Sequence, residues 1–268
     1  MAELLQVRGA AFGYDDREVF GGLDFEVCAG ETLCILGANG CGKTTLLRCL
    51  GGGLRLKRGK IALAGRDLAA LGPIEIARTM GFVFQEHSAP FPFPVLEVVR
   101  MGRAPYLSFL AQPSKRDTAI AEQALEMVGM AHLRDKPYTR ISGGERQLVL
   151  IARTLAQQPR VILLDEPTSH LDFKNQALIL KIVERLARQG LAIVMTTHMP
   201  NHALAFPSRV ALMSRGKFVA VGDATTTVTE ANLRATYDID VRVLSAADPV
   251  SGQSFVFCVP AITGDGTP

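Results

Sequence analysis

Apolar positions recur at strand spacing through residues 3–36: Val19, Leu23, Phe25 and Val27 partly alternate with polar neighbours, and Glu31–Leu36 runs into a glycine-rich turn. Such alternation marks half-buried strands. A helix is predicted next, because Leu46, Leu47 and Leu50 share one face and Gly51-Gly52-Gly53 stops it. Short strands are predicted at 58–65 and 81–84. The pattern then changes. From His87 to Pro113, prolines 90, 92, 94, 105 and 113 are interleaved with Phe91, Phe93, Tyr106 and Phe109. Ser114-x-x-Asp117 forms a capping box ahead of a helical stripe of Ile120, Ala121, Ala124, Leu125 and Val128. Another helix begins near Gly143, with Leu148, Ile151, Ala152 and Leu155 at core spacing. Residues 88–155 thus read as a mainly helical insert.

Beyond it come an apolar strand (161–164), a helix (174–189) and a strand (191–196). Strand, helix, strand in that order predicts a parallel sheet with crossover helices. The C-terminal residues read as a separate hairpin. Ile239, Val241 and Val243 alternate with Asp240 and Arg242, residues 245–252 turn, and Phe255–Val259 returns. The chain therefore divides into residues 1–235 and a short tail, 236–268.

Composition narrows the function classes. The 268 residues are 48% apolar and 21% charged, enough for one large domain or two small ones. A net charge of +3, from 29 basic and 26 acidic residues, carries no nucleic-acid footprint. No apolar run reaches the ~18 residues of a membrane span, and Met1–Ala10 lacks the apolar stretch of a signal peptide. The expectation is a cytoplasmic protein that meets a membrane only through a partner. The 5 cysteines, at 28, 34, 41, 49 and 258, form no Cys-x-x-Cys pair, so neither disulfides nor a zinc site are expected.

The strongest chemical signal is Gly37-Ala38-Asn39-Gly40-Cys41-Gly42-Lys43-Thr44-Thr45, which fits G-x-x-x-x-G-K-[ST] between a strand and a helix. Backbone N–H groups of such a loop curl around phosphates, and the helix N-terminus adds positive potential. Lys43 is expected to reach the β- and γ-phosphates of ATP, and Thr44 to ligate Mg²⁺. Cys41, inside this positive field, is either a thiol whose pKa the field lowers or an inert small filler. Downstream, Val161-Ile162-Leu163-Leu164-Asp165-Glu166 is an apolar strand ending in two acids. Alone they would be solvated acids at a strand exit. Beside a phosphate loop, Asp165 fits as the Mg²⁺ partner through water and Glu166 as the general base on the attacking water.

Ile141-Ser142-Gly143-Gly144-Glu145-Arg146-Gln147 precedes the acidic strand and resembles the LSGGQ signature of ATP-binding cassette (ABC) proteins. Other motifs of that family follow in order. Tyr14 resembles the adenine-stacking aromatic, although a lone tyrosine is otherwise a packing residue. Gln85, after Phe82-Val83-Phe84, resembles the glutamine of the Q-loop, which contacts the metal and the reacting phosphate. Ser169-His170-Leu171-Asp172 resembles the D-loop. His198, after Thr196-Thr197, resembles the switch histidine that orients the γ-phosphate and water. Two departures occur: Ile141 stands for leucine, a volume-conserving change, and Glu145 for glutamine, near a helix N-terminus that stabilises its charge.

The resemblance spans residues 4–235. It implies an α/β fold of the P-loop NTPase type: a RecA-like parallel sheet core, an N-terminal antiparallel β subdomain and a helical insert subdomain. It further implies a homodimer of ATPase subunits, in which the Gly37–Thr45 loop of one copy holds ATP against Ser142, Gly143 and Gly144 of the other. Val98-Val99-Arg100-Met101-Gly102-Arg103-Ala104-Pro105-Tyr106-Leu107 resembles a segment of importers for iron-siderophores, haem, cobalamin and molybdate. Its stiff, partly apolar surface suits a docked helix of a multi-span membrane permease, which would link this chain to a substrate-binding protein. Sugar importers usually add a long C-terminal regulatory domain, and the short tail here does not resemble one. The expected role is therefore the peripheral, cytoplasmic-face ATPase of an iron(III)-siderophore importer. The alternative is a cobalamin, haem or molybdate importer ATPase, and after it a soluble ABC ATPase outside transport, such as an iron–sulfur assembly factor.

Overall fold

A computed structural model of the chain describes residues 3–84, 91–108, 111–206, 209–247, 249, 252 and 254–261. Gln85 and Phe109 lie outside the described residues, as does the start of the expected insert at 88. In chain order the strands are β1 (Glu3–Tyr14), β2 (Arg17–Cys28), β3 (Thr32–Leu36), β4 (Arg58–Leu63), β5 (Arg66–Asp67), β6 (Met80–Val83), β7 (Val161–Leu164), β8 (Ala192–Thr197), β9 (Arg209–Ser214), β10 (Lys217–Asp223), β11 (Val241–Ala247) and β12 (Ser254–Pro260). The helices are α1 (Lys43–Leu50), α2 (Pro73–Thr79), α3 (Val95–Arg100), α4 (Lys115–Met127), α5 (Gly143–Ala156), α6 (Phe173–Arg188), α7 (Pro200–Leu204), α8 (Ala224–Thr227) and α9 (Glu230–Tyr237).

Among the described residues the strands form three sheets. β2-β1-β4-β5 is antiparallel, β10-β9-β3-β8-β7-β6 forms the central sheet, and β11-β12 is a hairpin. In the central sheet β6, β7, β8, β3 and β9 run parallel, and β10 closes one edge antiparallel to β9. This is the expected α/β architecture of a P-loop NTPase.

The inner strands β3, β7 and β8 are buried at every position, and apolar except at Thr32, Thr196 and Thr197, because both faces of the sheet are covered. Cys34 and Leu36 of β3, Ile162 and Leu164 of β7, and Ile193 and Met195 of β8 enter one core, shared with α3 to α6. Leu33, Ile35, Val161, Leu163, Ala192 and Val194 enter the opposite core, against α1 and the antiparallel sheet. Period-2 alternation thus divides each strand between two cores. Each fully buried side chain of this kind contributes about 1.5–3 kcal/mol. The result is a rigid sheet edge from which β3, β7 and β8 all present their C-terminal ends.

α4 begins at the capping box read from the sequence: Ser114 Oγ accepts from the Asp117 N–H, and the Asp117 carboxylate accepts from the Ser114 N–H at 2.9 Å. The Met101–Tyr106 segment forms a 3-10 turn rather than an open surface strip. Arg103 points inward, where its Nε donates to Asp117 Oδ1 at 2.9 Å and its Nη1 to the Ala156 carbonyl at 2.8 Å, with the guanidinium 4.0 Å over the Tyr106 ring. Met101 remains exposed beside a groove of about 250 Å³ lined by Phe82, Gly102, Pro105, Arg153 and Gln157.

Candidate active site

β3 delivers the chain into the loop 37–42, and α1 starts at Lys43. Gly42 caps that helix with φ 111° and Gly40 sits at φ 78°, left-handed conformations that glycine adopts without strain and that turn successive N–H groups inward. The loop opens onto a cleft of about 530 Å³. Asn39, Gly40, Gly42, Lys43, Thr44, Thr45, Glu166 and His198 line it, all anticipated from the sequence. Ser169 and His170, from the segment that resembles the D-loop, line it too, as does Val19, which no sequence motif marks. Gly37 and Cys41 lie beneath the loop, both buried.

Lys43 is buried, and its Nζ donates to the Gly37 and Ala38 carbonyls at 2.8 and 3.1 Å while standing 3.3 Å from Glu166 Oε1. β8 lies between β3 and β7 and carries the groups that hold the two acids. Thr196 Oγ1 donates to Asp165 Oδ1 at 2.8 Å and accepts from the Glu166 N–H at 2.9 Å. Thr44 Oγ1 donates to the same Asp165 oxygen at 3.2 Å. Glu166 Oε2 accepts from Ser169 Oγ and lies beside His198 Nδ1, each at 2.9 Å. Glu166 also has φ 44°, strained for a non-glycine residue, with a cost on the order of 1–3 kcal/mol.

The two carboxyls titrate in opposite directions. Burial pushes Asp165 up despite the hydroxyls of Thr196 and Thr44. Burial alone would also raise Glu166, but Ser169, His198 and Lys43 together outweigh it and hold the carboxyl below its usual range. Behind them His202 is buried, its Nδ1 3.1 Å from Thr168 Oγ1 and 3.4 Å from Thr197 Oγ1. Burial, with His198 nearby, lowers its pKa and keeps it neutral. Cys41 fits the filler reading rather than the field-activated one: burial raises its thiol pKa, and the lowering by Lys43 is the smaller effect.

Gln85 lies outside the described residues, and Tyr14, Ser142, Gly143, Gly144, Glu145 and Asp172 are not among those that line this cleft. Tyr14 ends β1, half-exposed and edge-on to Phe12 at 5.0 Å. Ser142 and Gly143 are exposed at the start of α5. Ser142 accepts from the Glu145 N–H, and the Glu145 carboxylate accepts from the Ser142 N–H at 2.7 Å, which lowers its pKa. Glu145 therefore completes a capping box, a more specific role than a general dipole contact. Asp172 caps α6 through the Asn175 N–H at 2.8 Å. The Asn175 side chain packs against Gly144, where a Cβ would approach within 2.4 Å, so the starts of α5 and α6 are held together.

The arrangement also accommodates a divalent cation. Asp165 is a buried carboxylate that accepts from the hydroxyl of Thr44, which lines the cleft. Among the described residues no cluster of three or more His, Cys, Asp or Glu side chains could hold an ion alone. An ion here would draw its other ligands from phosphate and water, as Mg²⁺ does.

A nest of N–H groups at the β3–α1 turn, a lysine within it, and two acids at the tip of a strand two places away define a P-loop nucleoside triphosphatase. A family model described as ABC transporter matches residues 20–169. The chain belongs to that family, as an ATP-binding and ATP-hydrolysing member. It is 38% identical over 241 residues to the molybdate import ATP-binding protein MolC of Haemophilus influenzae, covering 89% of this chain and 90% of that one. The hemin import ATP-binding protein HmuV of Streptomyces coelicolor is 38% identical over 227 residues, with 85% and 80% covered. The fold superposes with a TM-score of 0.86, at 36% identity, on the inward-facing conformation of an ABC transporter assigned to the metal-chelate type, covering 96% of this chain and 97% of that one.

Proposed function

We propose that the chain is the ATPase subunit of a membrane importer of metal chelates, with an iron(III)-siderophore as cargo. The observation that carries this reading is the match along 96% of the chain to the metal-chelate type transporter. Among the described residues no helix is long and apolar enough to cross a membrane, so the translocation path is assigned to a separate multi-span permease. Phe84 and Met101, exposed beside the groove of the insert, offer apolar ground for a helix of that permease. The chain would work at the cytoplasmic face of the inner membrane, and a substrate-binding protein would reach it only through the permease. Molybdate and haemin, named for two relatives, are the second reading of the cargo.

In the catalytic cycle Lys43 binds the β- and γ-phosphates; Thr44 would hold Mg²⁺, with Asp165 partnering it through water and Gln85 as a further ligand and contact to the reacting phosphate. Bound Mg²⁺ supplies neutralisation of the charge on the phosphate oxygens. Tyr14 stacks on adenine. Glu166 accepts a proton from the water that attacks the γ-phosphorus as the bond to the β-phosphate breaks, and His198 fixes the glutamate's orientation. A second copy completes the site with its Ser142–Gly144 segment, and the residues from Ser169 to Asp172 lie along that interface. Support for the dimer comes from Phe173, 87% exposed directly after Asp172, a costly position for an aromatic side chain without a partner.

Purification from membranes, followed by reconstitution with the accompanying permease in liposomes, tests the reading. ATP-dependent uptake of a ferric siderophore is expected. Uptake of haemin or molybdate instead overturns the cargo and keeps the class. Uptake of a sugar or peptide overturns the reading of the insert, and the absence of any permease returns the chain to the non-transport alternative.

A further inference from the structure

The C-terminal segment grips the backbone that carries His198 from two sides. β8 ends at Thr197 and α7 begins at Pro200, so His198 stands in a short connection outside regular hydrogen bonding. The hydroxyl of Tyr237, the last residue of α9, donates to the His198 carbonyl at 2.9 Å. Burial pushes the Tyr237 phenol well above its usual pKa, so it stays a neutral donor. On the other side, the Asn201 amide pairs with the backbone of Cys258 in β12 as a neighbouring strand would. Its Nδ2 donates to the Cys258 carbonyl at 3.1 Å, and its Oδ1 accepts from the Cys258 N–H at 2.8 Å.

The tail itself is fastened down. Glu230 at the start of α9 accepts from Arg242 and from the Val243 N–H of β11, both at 3.1 Å. Val241 and Cys258 are buried in the core that also receives β8. A continuous path of contacts therefore runs from the hairpin, through Tyr237 and Asn201, to the His198 backbone, and from the imidazole to Glu166 Oε2 at 2.9 Å. A positioned base loses efficiency with small displacements of its supporting groups.

We propose that Tyr237 is a positioning residue for ATP hydrolysis, which with the Asn201–Cys258 clamp lets the C-terminal hairpin set where His198 stands over Glu166. The proposal rests on the reading of Glu166 and His198 as the hydrolytic pair. Its test is a double-mutant cycle of steady-state ATPase activity on the full chain, with Tyr237→Phe, His198→Ala and the combination. Tyr237→Phe removes one oxygen and is expected to lower kcat about 5- to 30-fold, with the KM for ATP changed less than about twofold. In the His198→Ala background the same change is expected to alter kcat by less than about twofold, because its effect passes through the histidine. Asn201→Ala, which frees the hairpin without touching Tyr237, is expected to follow the same non-additive pattern. A normal kcat in both Tyr237→Phe and Asn201→Ala, or full multiplication with the His198→Ala loss, overturns the positioning role while the hydrolytic pair stands. A normal rate for His198→Ala itself removes the pair, and the proposal with it.

Discussion

Lys43 and Glu166 form an ion pair across the mouth of the phosphate loop, 3.3 Å apart and almost wholly buried. The lysine that would bind phosphate thus occupies the glutamate that would activate water. An entering γ-phosphate competes for Lys43, and its withdrawal removes one of the influences holding the Glu166 pKa down. Substrate binding would thereby make the carboxylate a stronger base.

Lys43→Ala follows directly. Loss of a charge-assisted contact to phosphate is expected to weaken ATP binding about 10- to 100-fold, measured by calorimetry. The variant should also raise the Glu166 pKa, because Lys43 lowers it in the wild-type chain. A carboxyl titration by NMR unchanged by the substitution would argue against the pairing.

Asp117 and Arg103 anchor the insert, and removing one partner of such a buried pair destabilises by about 3–5 kcal/mol. Asp117→Ala should lower the denaturation midpoint accordingly. The Ser114 hydroxyl and then Arg103 hold the Asp117 carboxyl at about 2, against an ordinary 3.8. Protons therefore bind the unfolded chain first. The stabilisation is complete above about pH 4 and is lost as pH falls toward 2. The difference between wild type and Asp117→Ala should narrow over that window, and a constant difference would contradict the pairing.

Cys41 should alkylate more slowly than a free thiol at neutral pH, since burial raises its pKa. ATP should slow it further by covering the loop. Faster labelling than a model thiol would restore the expectation of a field-activated cysteine.

Motif spacing made much of the site legible. Lys43, Thr44, Asp165, Glu166 and His198 come together because each ends a strand or opens a helix whose apolar core is visible in the sequence. What escaped depends on long-range pairing. Val19 lines the cleft only because β2 folds across the phosphate loop, and its alternation says nothing of that. β9 is a short apolar run, Val210–Met213, whose parallel partner β3 lies far away in sequence. The turn at Arg215-Gly216 marks the β9–β10 hairpin, and Pro73 and Glu75 in the first turn mark the start of α2. The inward turn of Arg103 depends on Asp117, which the sequence marks only as a cap.

The Glu166→Gln protein should dimerise when ATP is added, because turnover no longer dissolves the nucleotide-bridged interface. Static light scattering should show the mass doubling with ATP and remaining monomeric without it. An unchanged mass at high protein concentration would count against an interface between the Gly37–Thr45 loop and Ser142.

The most direct test of the hydrolytic site is ATP turnover by Glu166→Gln, with nucleotide binding measured on the same sample. The amide keeps the shape of the side chain and cannot take the proton of the attacking water. Turnover should fall about 100- to 10,000-fold while ATP affinity stays within a few-fold of wild type. Near-normal hydrolysis by this variant would contradict the assignment of Glu166 as the base.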